Sequence, residues 1–159
     1  MRTGIFPGTF DPVTEGHLDI VQRALKVLDH LVVAVALAHH KKTVFTVEER
    51  KDLIRQSLAG VDAVEIVTFD NLLVDLAQQH GAAVIIRGMR FVTDFEYELQ
   101  LALMNRRLDA RLETLFFIPS EKYSYLNSSV IKEVVRLGGD VSQLVPGPAL
   151  EALKRKLRP

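Results

Sequence analysis

GIFPGTFDPVTEGHLDIV, residues 4–21, is the stretch of sequence that decides the fold of this chain. It begins as a short apolar run, crosses a turn that contains glycine and proline, and continues as a helix whose first residues include Gly16 and His17. A strand that leads through a glycine loop into a helix N-terminus gathers backbone N–H groups and the positive end of the helix dipole at one point. Thr9 and His17 add a hydroxyl and an imidazole there. The stretch therefore indicates a site for a nucleotide phosphate.

The rest of the chain alternates short β-branched runs with helical patterns. The runs predict strands over residues 3–6, 31–37, 63–67, 82–86 and 114–118. The patterns predict helices over residues 16–27, 47–57, 72–80, 94–107 and 128–137, with one more after Pro146. Strand runs that are apolar with little alternation are typical of a parallel sheet covered on both faces. We therefore predict an α/β fold, a single-domain doubly wound parallel sheet over residues 1–159, with ligands beyond the carboxyl ends of its strands.

Two of the predicted helices begin with capping signals. Thr46 precedes Val47 and is followed three residues later by Glu49, the spacing of a capping box. Thr93 or Asp94 is expected to cap the helix that contains Glu98. These signals predict where the two helices start.

Composition restricts the class of protein. Lys plus Arg number 20 and Asp plus Glu number 20, so the net charge is zero. Nucleic-acid-binding proteins usually carry a basic excess, so no nucleic-acid partner is expected. Cysteine is absent, which excludes disulfides and cysteine metal sites. The N-terminus lacks the apolar region of a secretory signal, and no apolar run approaches the ~20 residues that span a bilayer. We expect a cytoplasmic protein without a membrane segment.

Two clusters of polar residues follow the first two strands. Thr9 and His17 can donate to phosphate oxygens, although His17 could instead only cap its helix. The run 39–42, HHKK, follows the most clearly predicted strand, and a lysine at this position can neutralise a phosphate. Alternatively, both lysines belong to a solvated surface. Adjacent histidines rarely converge on one ion, so His39 and His40 are expected at the surface and no metal site is predicted.

Two further clusters follow the fourth and fifth strands. Arg87 and Arg90 flank a glycine and can grip phosphates bidentately, and Glu98 could meet an arginine or a sugar hydroxyl. Alternatively, these three residues form a surface salt-bridge network, which contributes only ~0–1 kcal/mol per exposed pair to stability. Asn127 and Ser128 begin a helix and offer donors to an anion, or simply cap that helix.

The ordered set of motifs resembles a known enzyme family. TEGH, residues 14–17, fits the (H/T)xGH signature of the nucleotidyltransferase superfamily, and NSSVIK, residues 127–132, resembles its second signature. PGTFDP (7–12), Lys41, IRGMR (86–90), DFEYELQ (94–100) and MN (104–105) are similar to the bacterial phosphopantetheine adenylyltransferases. The resemblance covers essentially the whole chain. It implies a Rossmann-like nucleotidyltransferase fold and reversible transfer of the adenylyl group of ATP to 4′-phosphopantetheine, giving dephospho-coenzyme A and pyrophosphate.

The resemblance also implies a role for each matched residue. His17 would stabilise the reacting α-phosphate, while Thr9 and Lys41 would hold the acceptor phosphate and the α-phosphate. Arg87 and Leu73 would contact phosphopantetheine. The family implies Mg²⁺, a homohexamer and feedback binding of coenzyme A. The residues implied for ATP are Thr9, Phe10, His17, Gly88, Met89, Arg90, Glu98, Tyr123, Ser124, Tyr125, Leu126, Asn127, Ser128 and Ser129.

The sequence departs from the family pattern at a few positions. Asn127 stands where the family usually has the first of three serines, His39-His40 replaces a small-residue/proline pair, and Phe6 lies at a variable strand end. Two other functions stay open. The chain could be a related cytidylyl- or nicotinamide-mononucleotide-type transferase with another acceptor, or a nucleotide-binding module without activity.

Overall fold

The computed structural model describes residues 1–37 and 42–158 as a five-stranded parallel sheet with helices against both faces, in the strand order β3-β2-β1-β4-β5. The predicted α/β doubly wound parallel sheet is confirmed. The strands are β1 (Thr3–Gly8), β2 (His30–Ala36), β3 (Val64–Phe69), β4 (Val84–Gly88) and β5 (Glu113–Phe117). The α-helices are α1 (Glu15–Ala24), α2 (Val47–Ser57), α3 (Leu73–Gln79), α4 (Val92–Leu108), α5 (Ser128–Arg136) and α6 (Gly147–Leu157). Within the described residues, no helix is long and apolar enough to cross a bilayer.

The strand order reverses at β1, which pairs with β2 on one side and with β4 on the other. The β1–β2 ladder runs the full length of β1, whereas the β1–β4 ladder joins only Gly4 to Val84 and Ile5 to Ile85. Pro7 has no N–H with which to continue that ladder. A crevice at such a reversal is the usual ligand site of an open α/β sheet.

Two apolar cores cover the two faces of the sheet. Successive strand residues point to opposite faces, so Phe6 packs in the core formed with α1, α2, α5 and α6, while Ile5 packs in the smaller core formed with α3. The same division separates Ile86 from Ile85 on β4. Burial on both sides explains the continuous apolar runs from which the sheet was predicted.

Several element bounds differ from the predicted ones. Strand β1 continues two residues beyond residue 6, because its pairing with β2 extends to Gly8. Strand β4 is shifted toward Gly88, because the β4–β5 pairing extends past the apolar run to Gly88 and Phe117. Helix α1 ends at Ala24 rather than at residue 27, since the N–H groups of Lys26 and Val27 bond three residues back instead of four, as in a 3₁₀ turn. A short 3₁₀ helix, Glu121–Tyr123, lies in a loop for which no helix was predicted.

The capping predictions have different outcomes. Thr46 and Glu49 form the predicted capping box at the start of α2. The prediction for α4 is wrong, because the helix begins at Val92 and Phe91 is its N-cap. Asp94 therefore lies inside the first turn, where its carboxylate accepts long 3.4 Å hydrogen bonds from the N–H groups of Arg90 and Phe91. Asp94 thus binds, from within the helix, the N–H groups of the N-cap residue and of the residue before it.

Candidate active site

A pocket of about 730 Å³ lies beyond the carboxyl ends of β1 and β4, a volume within the range of small-molecule sites. Most of the residues predicted to carry function line it. They are Thr9, Phe10, His17, Arg87, Gly88, Arg90, Glu98, Tyr123, Leu126, Asn127, Ser128 and Ser129. The structure thus brings together residues from three segments of the chain, 9–17, 87–98 and 123–129, which are up to 120 positions apart in sequence.

The remaining predicted residues lie elsewhere. Met89, Ser124 and Tyr125 are described but do not line the pocket. Leu73 lines a second, small cavity of about 30 Å³, which shares Arg87 and Glu98 with the pocket. Lys41 lies outside the described residues, as do His39 and His40.

His17 is fixed by the residue that caps its helix. The backbone N–H of Thr14 donates to His17 Nδ1 at 3.0 Å, and the Thr14 hydroxyl in turn accepts from the His17 backbone N–H at 3.3 Å. A backbone N–H can only donate, so Nδ1 must be unprotonated. The proton of the neutral ring is therefore on Nε2. His17 thus both caps its helix and keeps an N–H donor on the other side of the ring.

Aromatic neighbours surround the His17 ring. Its centroid lies 5.0 Å from that of Phe10 and 6.4 Å from that of Phe6. Burial, followed by the nearby Arg90 guanidinium, lowers the pKa of His17 from 6.5 to about 4. The imidazole is therefore neutral at pH 7 and acts as a hydrogen-bond donor rather than as a cation.

The turn that carries Thr9 is held in an unusual conformation. Phe10 has a φ of +51°, a left-handed conformation that costs a non-glycine residue roughly 1–3 kcal/mol. A Cβ on Gly8 would lie 2.8 Å from the Phe10 ring, so glycine is needed there. The buried Arg50 donates from Nη1 to the carbonyls of Thr9 at 2.7 Å and Ala36 at 2.8 Å. Arg50 therefore joins the ends of β1 and β2 beneath the pocket.

Arg87 and Glu98 form a bidentate ion pair. Arg87 Nε and Nη2 each lie 2.6 Å from a carboxylate oxygen of Glu98, and Glu98 is buried. Arg87 Nη1 also donates to the Pro7 carbonyl at 3.3 Å, in the gap where the β1–β4 ladder has stopped. Two parallel hydrogen bonds fix the guanidinium plane. Of the two partners predicted for Glu98, an arginine or a sugar hydroxyl, the structure shows the arginine.

The loop between β5 and α5 closes another side of the pocket. Arg90 Nη1 donates to the Leu126 carbonyl at 2.7 Å. The Asn127 side chain accepts from the Ser129 N–H at 2.8 Å and caps α5, and the Ser128 hydroxyl donates to the Pro12 carbonyl at 3.0 Å. An amide in place of the usual serine at residue 127 therefore keeps the cap.

Positive side chains outnumber carboxylates in the pocket. Among its described lining residues, Lys42, Arg87, Arg90 and Lys132 oppose Asp11 and Glu98. Both carboxylates are engaged by cations, since Lys132 Nζ lies 2.6 Å from Asp11 Oδ2 and Arg87 holds Glu98. Such a surface favours an anion with several charges.

Sequence reasoning did not single out Arg50. A charged run usually predicts a solvated helix face, but Arg50 lies on the same face of α2 as Val47, Leu53 and Ile54. That spacing was the signal that Arg50 is buried. Lys42 belongs to the predicted lysine loop, but only the structure shows that it lines the pocket.

Comparisons with known proteins show the family to which this chain belongs. Residues 5–134 match the family described as cytidylyltransferase-like. A protein of Thermodesulfovibrio yellowstonii named phosphopantetheine adenylyltransferase is 49% identical over 158 residues, which cover 99% of this chain and 98% of that protein. Two Haemophilus influenzae proteins of the same name, from strains 86-028NP and PittEE, are 47% and 48% identical over 156 residues, 98% of this chain and 100% of each protein.

Proposed function

We propose that this chain, a nucleotidyltransferase that belongs to the phosphopantetheine adenylyltransferases of the cytidylyltransferase-like family, transfers the adenylyl group of ATP to 4′-phosphopantetheine. The products are dephospho-coenzyme A and pyrophosphate, and the reaction is reversible. One observation carries the proposal: a neutral His17 with its Nε2–H free to donate lines the same cationic pocket as Arg87 and Arg90. Such a pocket suits two phosphate-bearing substrates.

The proposed chemistry is a direct in-line displacement. An oxygen of the acceptor phosphate attacks the α-phosphorus of ATP, the bond from that phosphorus to the bridging oxygen breaks, and pyrophosphate leaves. The attacking phosphate is already an anion, so no general base is required. Positioning and charge stabilisation then supply most of the rate. No covalent enzyme intermediate is part of this mechanism.

His17 and Thr9 are the proposed donors at the reacting phosphate. The Thr14 N–H holds the ring through Nδ1, so Nε2–H can donate to an α-phosphate oxygen as charge develops there. Arg50 holds the Thr9 carbonyl and so fixes the turn that presents the Thr9 hydroxyl. We assign Lys41, by its resemblance, to the acceptor phosphate and the α-phosphate.

The two adjoining cavities support an assignment for the acceptor. Arg87 lines both, and Leu73 lines the smaller one. A phosphate bound at Arg87 would leave the apolar part of the pantetheine arm beside Leu73. Glu98, which holds Arg87, would then act on the acceptor side as well as on the ATP side that the resemblance implies.

ATP is assigned to the other side of the pocket. Arg90 would bind the β- and γ-phosphates together with Ser128 and Ser129 at the start of α5, where the helix dipole favours an anion. Gly88 and the loop that contains Tyr123 would contact the nucleoside. Met89, Ser124 and Tyr125 stay predicted ATP contacts, although they lie outside the pocket lining.

Mg²⁺ is the proposed cofactor, held mainly through substrate oxygens and water. Both carboxylates of the described pocket lining, Asp11 and Glu98, are engaged by cations, and no group of three or more His, Asp or Glu in the described part of the chain could hold a metal ion. This fits the preference of Mg²⁺ for substrate phosphates and water over an all-protein cage. When bound, the ion would neutralise phosphate charge.

We also propose a homohexamer with feedback binding of coenzyme A. Helix α4 exposes large apolar side chains, among them Tyr97 at 63%, Leu103 at 55% and Met104 at 59%. Apolar patches of this kind on one protomer are typical of contacts between subunits, and light scattering would measure the assembly. The cytoplasmic location stays a prediction.

The test is a turnover assay. Wild-type protein with ATP, Mg²⁺ and 4′-phosphopantetheine should release pyrophosphate and form dephospho-coenzyme A. Pyrophosphate release with another acceptor instead would identify a related nucleotidyltransferase. ATP binding without release with any acceptor would identify a nucleotide-binding module, and either result would contradict the proposal.

A further inference from the structure

The loop that follows β5 reaches the pocket through a short 3₁₀ helix. Ser120 precedes this helix, Glu121–Tyr123, and its carbonyl accepts from the Tyr123 N–H at 2.8 Å. Tyr123 and Leu126 then line the pocket. The position of Ser120 therefore sets the position of the pocket-lining part of the loop.

Asp19 of α1 binds Ser120 through both carboxylate oxygens. Oδ2 accepts from the Ser120 backbone N–H at 2.8 Å and Oδ1 accepts from the Ser120 hydroxyl at 2.7 Å, across 101 residues of sequence. Arg23, one turn further along α1, donates to Asp19 Oδ2 and to the Ser120 hydroxyl, each at 3.0 Å. Although burial opposes it, the hydrogen bonds from Ser120 and Arg23 hold the pKa of Asp19 below its usual value. Asp19 is thus charged and bound at neutral pH.

The same loop also packs on the first turn of α1. A Cβ added to Gly16 would lie 3.7 Å from both Tyr123 Cβ and Leu126 Cδ1, so the loop approaches the helix closely there. The loop therefore meets α1 at Gly16 and again at Asp19, and His17 lies between these points on the same helix. One rigid element carries both His17 and the support of the loop.

We propose that Asp19 and Ser120 are positioning residues for the nucleotide, which hold the loop of residues 119–127 at a fixed distance from His17. Neither lies among the residues assigned to substrate contact. The inference rests on the proposed function, because it takes this loop to contact ATP. It adds that ATP affinity depends on the hydrogen bonds between Asp19 and Ser120, which we call the Asp19–Ser120 clamp.

The first experiment compares Asp19→Ala with Asp29→Ala. Asp29 is a matched control, since it also accepts from a backbone N–H and a guanidinium, those of Arg2, but lies at the opposite end of the sheet. In calorimetric titrations with Mg-ATP, Asp19→Ala should raise the Kd by about tenfold, the effect of losing a charge-assisted hydrogen bond. Asp29→Ala should bind ATP as the wild type does.

Kinetic measurements distinguish positioning from a loss of folding. Asp19→Ala should raise the KM for ATP and leave the KM for 4′-phosphopantetheine within about twofold. Ser120→Ala should weaken ATP binding less, and Ser120→Thr, which keeps the hydroxyl, should restore it. If Asp19→Ala does not fold, the Ser120→Ala and Ser120→Thr pair decides the question. An unchanged ATP Kd, or an equal loss for both substrates, would overturn the inference.

The titration also separates this inference from the proposed function. If the wild type binds Mg-ATP but releases no pyrophosphate with 4′-phosphopantetheine, the proposed function fails and the Kd values still test Asp19. If the wild type turns over and Asp19→Ala binds ATP normally, only the inference fails. A wild type that does not bind Mg-ATP would overturn both.

Discussion

The backbone N–H of Thr14 donates to His17 Nδ1 at 3.0 Å, so the helix cap and the candidate catalytic ring are joined by one hydrogen bond. The bond leaves Nε2–H as the donor on the other side of the ring. A protonated ring would place N–H against N–H at Nδ1 and break this bond. The cap, the burial of the ring and the Arg90 guanidinium all favour a neutral His17.

We predict that His17 is the Nε2–H tautomer and titrates with a pKa of about 4. Long-range ¹H–¹⁵N correlation spectra of the imidazole would measure both. In the unfolded chain the ring titrates near pH ~6.5, so between these values the unfolded state binds more protons. The contribution of His17 to stability is therefore complete above pH ~6.5 and is lost as the pH falls toward about 4. A ring that titrates near 6.5 in the folded protein would contradict this prediction.

His17→Ala should lower kcat by roughly 10²–10³-fold, the usual effect of removing one donor to a developing oxyanion. The Kd for ATP should change little, because the Nε2–H bond strengthens mainly in the transition state. Pyrophosphate release and equilibrium ATP binding would measure the two effects. A variant that turns over normally would exclude the proposed role and favour the capping role alone.

Glu98→Gln should raise the KM for 4′-phosphopantetheine by about tenfold, because Arg87 would lose the charge that fixes its guanidinium. The control is Glu113→Gln, whose ion pair with Arg106 is exposed and lies outside both cavities. Steady-state kinetics with each substrate varied would measure the change. A larger effect on the KM for ATP would instead support the ATP contact that the family resemblance implies.

The α/β class and the location of the site could be predicted because both depend on local patterns. Apolar runs identify buried parallel strands, and the turn before Gly16 identifies a helix start that can bind phosphate. An arginine was one of two partners predicted for Glu98, the other being a sugar hydroxyl. Spacing along a helix does not identify the partner of a side chain, so the sequence could not decide between them. The Asp19–Ser120 clamp had no sequence signal, because a contact across 101 residues depends on how the whole sheet is assembled. The burial of Arg50 could have been predicted from its place on the apolar face of α2, but a charged side chain usually predicts an exposed position.

Lys41→Ala should raise the KM for 4′-phosphopantetheine by roughly ten- to a hundredfold and also lower kcat, because the assigned role includes both the acceptor phosphate and the α-phosphate. Its neighbour provides the comparison, since Lys42 lines the pocket. Lys42→Ala should have the smaller effect on both constants in the same assay. If Lys42→Ala is the more severe change, the assignment belongs to Lys42 instead.

Asp11→Asn or Lys132→Met should lower the free energy of unfolding by about 1–3 kcal/mol, because either change leaves one member of this largely buried pair without its partner. The Asp11 carboxylate is 5% exposed and also accepts from the N–H groups of Val44 and Phe45, so it joins the β2–α2 loop to α5. Urea unfolding at a fixed protein concentration would measure the loss, and the double variant should recover part of it. Glu151→Gln, which breaks the exposed pair with Lys154, should cost less than about 1 kcal/mol. A loss at Asp11 as small as that of this control would mean that the ion pair does not stabilise the fold.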